Sequence, residues 1–140
     1  MTSSQIKALH ATPQQIIAAP GSGKGIVIVG VTAKFIYGGS NVFTAAASQT
    51  INIYYNNNTT AAITTLKPLI LNSQIISSSN SFSMCNGQNI GPTSGFEGAA
   101  AGVFDNVNVA AYNPQGTEIS GNAANNNTID IQIGYYIVTF

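Results

Sequence analysis

The sequence predicts an all-β protein, an antiparallel β-sandwich of jelly-roll-like type with long strands and Gly/Asn/Ser-rich loops. Three observations carry this. Every strongly periodic segment alternates with period two, as a half-buried strand does. The apolar members are mainly Ile, Val and Tyr, which suit a pleated surface. Clusters of Gly, Asn, Ser and Pro punctuate the runs.

Near the start, residues 6–9 and 14–18 read as short strands separated by Thr12-Pro13, and residues 19–23 (Ala-Pro-Gly-Ser-Gly) as a turn. Residues 26–37 follow as the longest strand. They set Val27, Val29, Val31, Ala33, Phe35 and Tyr37 on one side and Gly30, Thr32 and Lys34 on the other. At about 3.3 Å per residue that run spans roughly 40 Å, long for a strand. Residues 50–55 place Ile51, Ile53 and Tyr55 on one face and lead into Asn56-Asn57-Asn58, which is turn chemistry.

The stretch 66–84 is the least regular. Lys67-Pro68 imposes extended backbone, and Ser77-Ser78-Ser79-Asn80 disfavours both helix and strand. We expect one short strand at 69–71, at most a helical turn, then loop. Residues 86–98, with four glycines and Pro92, form a further loop. Val107, Val109 and Ala111 alternate ahead of an Asn113-Pro114-Gln115-Gly116 turn.

The last strand is the strongest, with Ile129, Ile131, Ile133, Tyr135 and Ile137 at odd positions. Its even positions change from Asp130 and Gln132 to Tyr136, Val138 and Phe140, so its C-terminal half asks for cover on both faces. No domain boundary or internal repeat interrupts the chain. We read residues 1–140 as a single domain, of a length that buries a core without disulfides or metal.

Charge narrows the function classes. Lys+Arg and Asp+Glu number four each, so the formal net charge is zero, while 44% of residues are hydrophobic. That balance is outside the disordered class. The four lysines, at 7, 24, 34 and 67, form no basic stripe, so nucleic acid is not an expected partner. No apolar run approaches the roughly 20 residues of a membrane span, and the first residues lack a secretory signal pattern. The expectation is a protein made in the cytoplasm with no membrane partner. Zero net charge removes the repulsion that keeps small domains apart, which favours self-association, and a homotrimer is the expected state.

Groupings that carry chemistry are sparse. Ala18-Ala19-Pro20-Gly21-Ser22-Gly23-Lys24-Gly25 looks like the phosphate loop of helicase-type ATPases, but Gly25 stands where a magnesium-binding hydroxyl belongs and the loop opens a strand rather than a helix. A tight glycine turn is the better reading. His10 has no second His, Cys or carboxylate at ligand spacing, and Cys85 is alone and reads as a small apolar filler. Glu97, Asp105, Glu118 and Asp130 lie in different segments, with no acid/base pair or calcium loop among them. Catalytic residues, metal ligands and cofactors are therefore expected to be none. Three Asn-x-Thr acceptor patterns, beginning at Asn57, Asn58 and Asn126, follow from an Asn/Thr-rich composition.

The order of features resembles a known class. A Leu9-x-x-Thr12-Pro13 opening passes through Ala19-Pro20-Gly21-Ser22-Gly23-Lys24 into a long Val/Ile strand. An Ile-x-Ile-x-Ile-x-Tyr strand closes the chain after a Gly/Asn-rich turn. This resembles the small β-sandwich structural proteins of tailed bacteriophages encoded among head and fibre genes. Such proteins form trimers or sit as auxiliary subunits on a capsid, and the resemblance implies no catalytic residue.

The expected function is thus a non-enzymatic virion protein, an auxiliary or decoration subunit on the capsid surface. It would stabilise the head through neutral and apolar contacts with the major capsid protein or other virion subunits. Tyr135, Tyr136, Val138 and Phe140 are the candidate interface. The alternative is a fibre or adhesin domain that binds host glycan through Tyr54, Tyr55 and Asn56, an aromatic platform beside neutral amides.

Overall fold

A computed structural model describes residues 1–56, 64–86 and 105–140, without the side chains of 56, 64–68, 85 and 86. The acceptor patterns at Asn57 and Asn58, Glu97, the side chain of Cys85 and most of the expected 86–98 loop lie outside the described residues. In chain order the elements are α1 (Ser3–Lys7), β1 (Gln14–Ile17), β2 (Lys24–Ile36), β3 (Phe43–Thr44), β4 (Ile51–Asn56), β5 (Thr64–Ile70), α2 (Asn72–Ile75), β6 (Ser81–Asn86), β7 (Asn108–Tyr112), β8 (Ser120–Gly121) and β9 (Thr128–Thr139).

The protein is all-β with antiparallel sheets. One sheet has the order β1-β7-β4-β5, a second β6-β2-β9, and β3 pairs with β8. The two large sheets hold four and three described strands, against the eight of a jelly roll. They share one hydrophobic core, in which Ile26, Ile28, Val31, Ala33, Phe35 and Ile129 of one sheet meet Ile17, Ile51, Ile53, Tyr55, Val109 and Ala111 of the other. Each of the larger side chains contributes roughly 1.5–3 kcal/mol by leaving water. Across the interior the Tyr55 hydroxyl donates to the Ile26 carbonyl oxygen at 3.0 Å, which ties β4 to β2.

The expected strand at 6–9 is instead helix α1 and the turn after it. Thr2 and Gln5 form a capping box: Thr2 N–H donates to Gln5 Oε1 at 2.8 Å, and Thr2 Oγ1 accepts from Gln5 N–H. Ile6 and Leu9, three apart, then share one side and are both fully buried. The expected 14–18 strand is present as β1.

In β2 the inward face changes parity part-way. Ile26 and Ile28 point inward, and so do Val31, Ala33 and Phe35, while Val29 is half exposed. The cause is a bulge: Ile28 pairs with Tyr135 and Gly30 with Gly134, so β2 has one residue more than β9 at Val29. The expected single face of Val27, Val29, Val31, Ala33, Phe35 and Tyr37 holds only beyond the bulge. Gly134 makes the bulge sterically practicable, since a Cβ there would stand 3.2 Å from Val29 Cγ2.

Residues 66–84 are more ordered than expected. The short strand expected at 69–71 is the end of the seven-residue β5 as far as Ile70, Leu71 instead leads into α2, and the expected loop contains β6. Pro68 sits on an edge strand where register with β4 shifts on both sides of its partner Asn52, the setting in which a missing N–H is tolerated. At one end of the sandwich neutral amides take the place of charges. Asn125 and Asn127 donate to the Asn41 carbonyl oxygen at 2.9 and 2.8 Å, and Asn127 Oδ1 accepts from Gly38 N–H. Ser3 donates to Asn125 Oδ1 and brings in α1.

Candidate assembly interface

Among the described residues β9 is an edge strand, because the order β6-β2-β9 leaves it a single ladder, with β2. Backbone groups on an antiparallel strand point alternately to its two sides. Phe140 N–H reaches Gly23 O at 2.9 Å, so even residues face β2. Ile129 faces the other way: its N–H donates to Met1 O at 3.0 Å, and the Met1 ammonium donates to Ile129 O at 2.6 Å. Beyond that cap the odd residues Ile131, Ile133, Tyr135, Ile137 and Thr139 turn N–H and C=O outward, with no ladder partner among the described residues. Edges are ordinarily blunted by Lys, Pro or inward charges. From Ile131 to Phe140 this one carries none of them.

Side chains on the same segment are exposed on both faces. Tyr135 and Ile137 lie on the core-facing side, 46% and 53% exposed, at the rim where the opposing sheet no longer covers them. Tyr136 and Phe140 lie on the outer side, 52% and 56% exposed, and Val138 between them is half-buried. The four residues chosen from the sequence are thus neighbours on one strand end. Sequence reasoning missed Ile137, Val29 and the β6 pair Phe82 and Met84, which are 60% and 65% exposed on the same outer face. The signal was there in Ser81-Phe82-Ser83-Met84, whose alternation is intact but whose apolar members point outward.

Between β2 and β9 this outer face is indented by a groove of about 380 Å³. Val29, Thr32, Met84 and Gln132 surround it, and the facing glycines Gly30 and Gly134 form its floor. It is shallow, apolar and without a titratable group among its lining residues.

The glycan platform does not form. Tyr54 and Tyr55 are only 1% and 2% exposed, because β4 is a central strand covered on both faces. Tyr55 points into the core, and Tyr54 packs against Tyr112 at 5.2 Å between ring centroids. Asn56 pairs through its backbone with Asn108, and its side chain is outside the described residues.

The phosphate-loop lookalike is occupied by the protein's own side chains. Asp105 Oδ1 accepts from Gly23 N–H at 2.6 Å and Lys24 N–H at 3.2 Å, and Asn106 Oδ1 accepts from Gly21 N–H at 2.9 Å. Gly21 and Gly23 adopt φ of 98° and 74°, which only glycine takes readily, and the chain then enters β2 rather than a helix. A phosphate would have to displace a carboxylate. Purified protein is expected to show no ATP binding by titration calorimetry and no hydrolysis, and Lys24→Ala to unfold at the wild-type temperature, since Lys24 is exposed. Magnesium-dependent hydrolysis lost in that variant would refute this.

The other polar groups serve backbone as well. Glu118 accepts from His10 N–H at 2.9 Å and Ala11 N–H at 2.7 Å, while the His10 ring stacks on Tyr112 with Nδ1 3.2 Å from Asn113 O. Asn126, which begins the third acceptor pattern, uses its amide on Gly38 O and Ser40 Oγ. Among the described residues no three His, Cys, Asp or Glu side chains gather as metal ligands, and no helix is long and apolar enough to cross a membrane. Comparison with known protein families, curated proteins and solved structures finds no match to this chain.

Proposed function

We propose that the chain is a non-enzymatic structural subunit of a virion, an auxiliary or decoration protein on the head of a tailed phage. The observation that carries the reading is the exposed apolar end of β9, on the same sheet as the exposed Val29, Phe82 and Met84, in a chain with eight charged residues. Such a surface gains from being covered, at about 25 cal/mol per Å² of apolar area removed from water. The virion setting comes from the resemblance in sequence order. Contacts of this kind stabilise a shell by many small apolar and neutral hydrogen-bonded increments rather than by ion pairs. The glycan-binding alternative has lost its aromatic platform and is not retained.

Locating the chain on the head surface in a particle reconstruction tests the reading, and its absence there overturns it. The contact mechanism makes its own prediction. At 1 M salt the Debye length shrinks to about 3 Å, which releases an electrostatically held subunit, whereas this one is expected to stay on particles. Tyr136→Ser is expected to release it. That substitution is a cleaner probe than removing residues 137–140, which also deletes pairings with Ile26, Gly25 and Lys24 of β2. Loss at high salt together with retention of Tyr136→Ser, both read by sedimentation of particles, would contradict the mechanism.

A further inference from the structure

The free edge of β9 has the properties of a self-complementary surface. Its outward-facing groups run from Ile131 to Thr139, a length of roughly 30 Å, and Tyr135 is the midpoint. An antiparallel strand centred on Tyr135 engages all of them. Any other register leaves part of the edge unpaired.

We propose that this edge pairs antiparallel with the same edge of a second copy, about a two-fold axis through Tyr135, merging two three-stranded sheets into one. In that register Tyr135 exchanges both hydrogen bonds with the partner's Tyr135, Ile133 with the partner's Ile137, and Ile131 with the partner's Thr139. No side chain from Ile131 to Thr139 is charged, so no like-charged side chains face each other within the paired stretch. On the core-facing side the half-exposed Tyr135 and Ile137 gain cover from the partner's rim.

On the outer side the fit is knob into hole. Directly opposite Tyr136 stands the partner's Gly134, in a non-hydrogen-bonded pair whose Cα atoms approach to about 4.5 Å. Gly134 is the floor of the groove bounded by Val29, Met84 and Gln132, so the exposed Tyr136 ring of each copy has a cavity waiting on the other. The two-fold makes this happen twice. One surface thereby explains an unblunted edge, an exposed tyrosine and a glycine-floored groove. The proposal rests on reading this strand end as an assembly surface, and it names the partner as a second copy. Composition argues for association without fixing its symmetry. Pairing through this edge closes after two copies, so the proposal replaces the expected homotrimer with a dimer.

Sedimentation equilibrium at tens of micromolar should give twice the 14.5 kDa chain mass. A monomer or a trimer overturns the pairing. Tyr135→Pro removes an N–H that has no ladder partner among the described residues, at an edge position where proline is tolerated, and should yield a folded monomer. A persistent dimer in that variant overturns the proposal. Wild-type hydrogen exchange gives a readout free of substitution: amides of Ile133, Tyr135 and Ile137 should slow at least tenfold on passing from monomer to dimer concentrations. Unchanged exchange there means another surface is used and sinks the idea. The two readings fail separately. Particles that carry a chain monomeric in solution overturn only the two-fold, while a dimer with these protections, absent from particles, upholds it and removes the virion assignment.

Discussion

Phe35→Ala is expected to lower the free energy of unfolding by about 3–5 kcal/mol, the usual cost of replacing a buried aromatic by alanine. Phe35 lies in the middle strand of its sheet, paired with Ile129 on one side and Ser81 on the other. Its ring meets Phe43 at 6.3 Å in a tilted arrangement, so the same side chain also anchors the small β3-β8 ladder. Flanking backbone is held in ladders on both sides, which prevents the site from collapsing around the void. Against a total of about 5–15 kcal/mol, the variant keeps little margin. Urea unfolding followed by far-ultraviolet circular dichroism measures this, and a loss under about 1 kcal/mol would show that Phe35 is not central to the core.

Alkaline pH should weaken the fold through Tyr55. Burial pushes the Tyr55 hydroxyl up to about 12, only partly offset by a backbone hydrogen bond from Ile28. In the unfolded chain a tyrosine titrates near 10. Between these values the unfolded state has lost the proton and the native state keeps it. Stability is therefore fully present below about pH 10 and falls by about 1.4 kcal/mol per pH unit until the native hydroxyl itself ionises, for a total of roughly 3 kcal/mol. Tyr55→Phe should start about 1 kcal/mol less stable from the lost bond to Ile26 and then show a shallower decline. Urea midpoints at pH 8, 10, 11 and 12 compare the two slopes. Parallel curves would mean that Tyr55 does not drive the alkaline loss.

The strands that could be read locally are those whose two faces differ. Residues 129–133 alternate Ile with Asp and Gln, and β9 lies there with Ile129 buried and Asp130 exposed. Ile26 to Val29 are apolar at both parities, so nothing local says which face turns inward, and the bulge that decides it depends on Gly134, some hundred residues away. β6 escaped because its apolar residues face outward and its serines inward, the reverse of the usual correlation. α1 was legible in principle. Thr2 and Gln5 stand at capping-box spacing and Ile6 and Leu9 share a helical face, but four residues of mixed polarity fit a strand equally well.

The candidate interface divides along the same line. A change of the even face to Tyr136, Val138 and Phe140 was visible in the last strand alone, and those residues lie together on a strand that is at the edge of its sheet among the described residues. Phe82, Met84 and the groove at Gly134 depend on which strands flank β2, which is a property of the sheet order. The misjudged tyrosines make the converse case: Tyr54 and Tyr55 are inside because β4 is central in its sheet, and local pattern carries no information on centre or edge.

Pairing of β2 with β9 also sets a timetable for the growing polypeptide. The register joins Lys24 to Thr139 and Ile36 to Thr128, so β2 emerges from the ribosome on the order of 100 residues before its long partner. At about 5–20 residues per second that is a wait of roughly 5–20 s, far beyond the microseconds in which a hairpin closes. Throughout it the Ile26 to Val29 run lacks β9, its partner among the described strands, on a nascent chain with little charge of its own to oppose association with other copies. High expression therefore favours capture of β2 by chaperones or by other nascent copies, and slower translation of the last third lengthens the exposure.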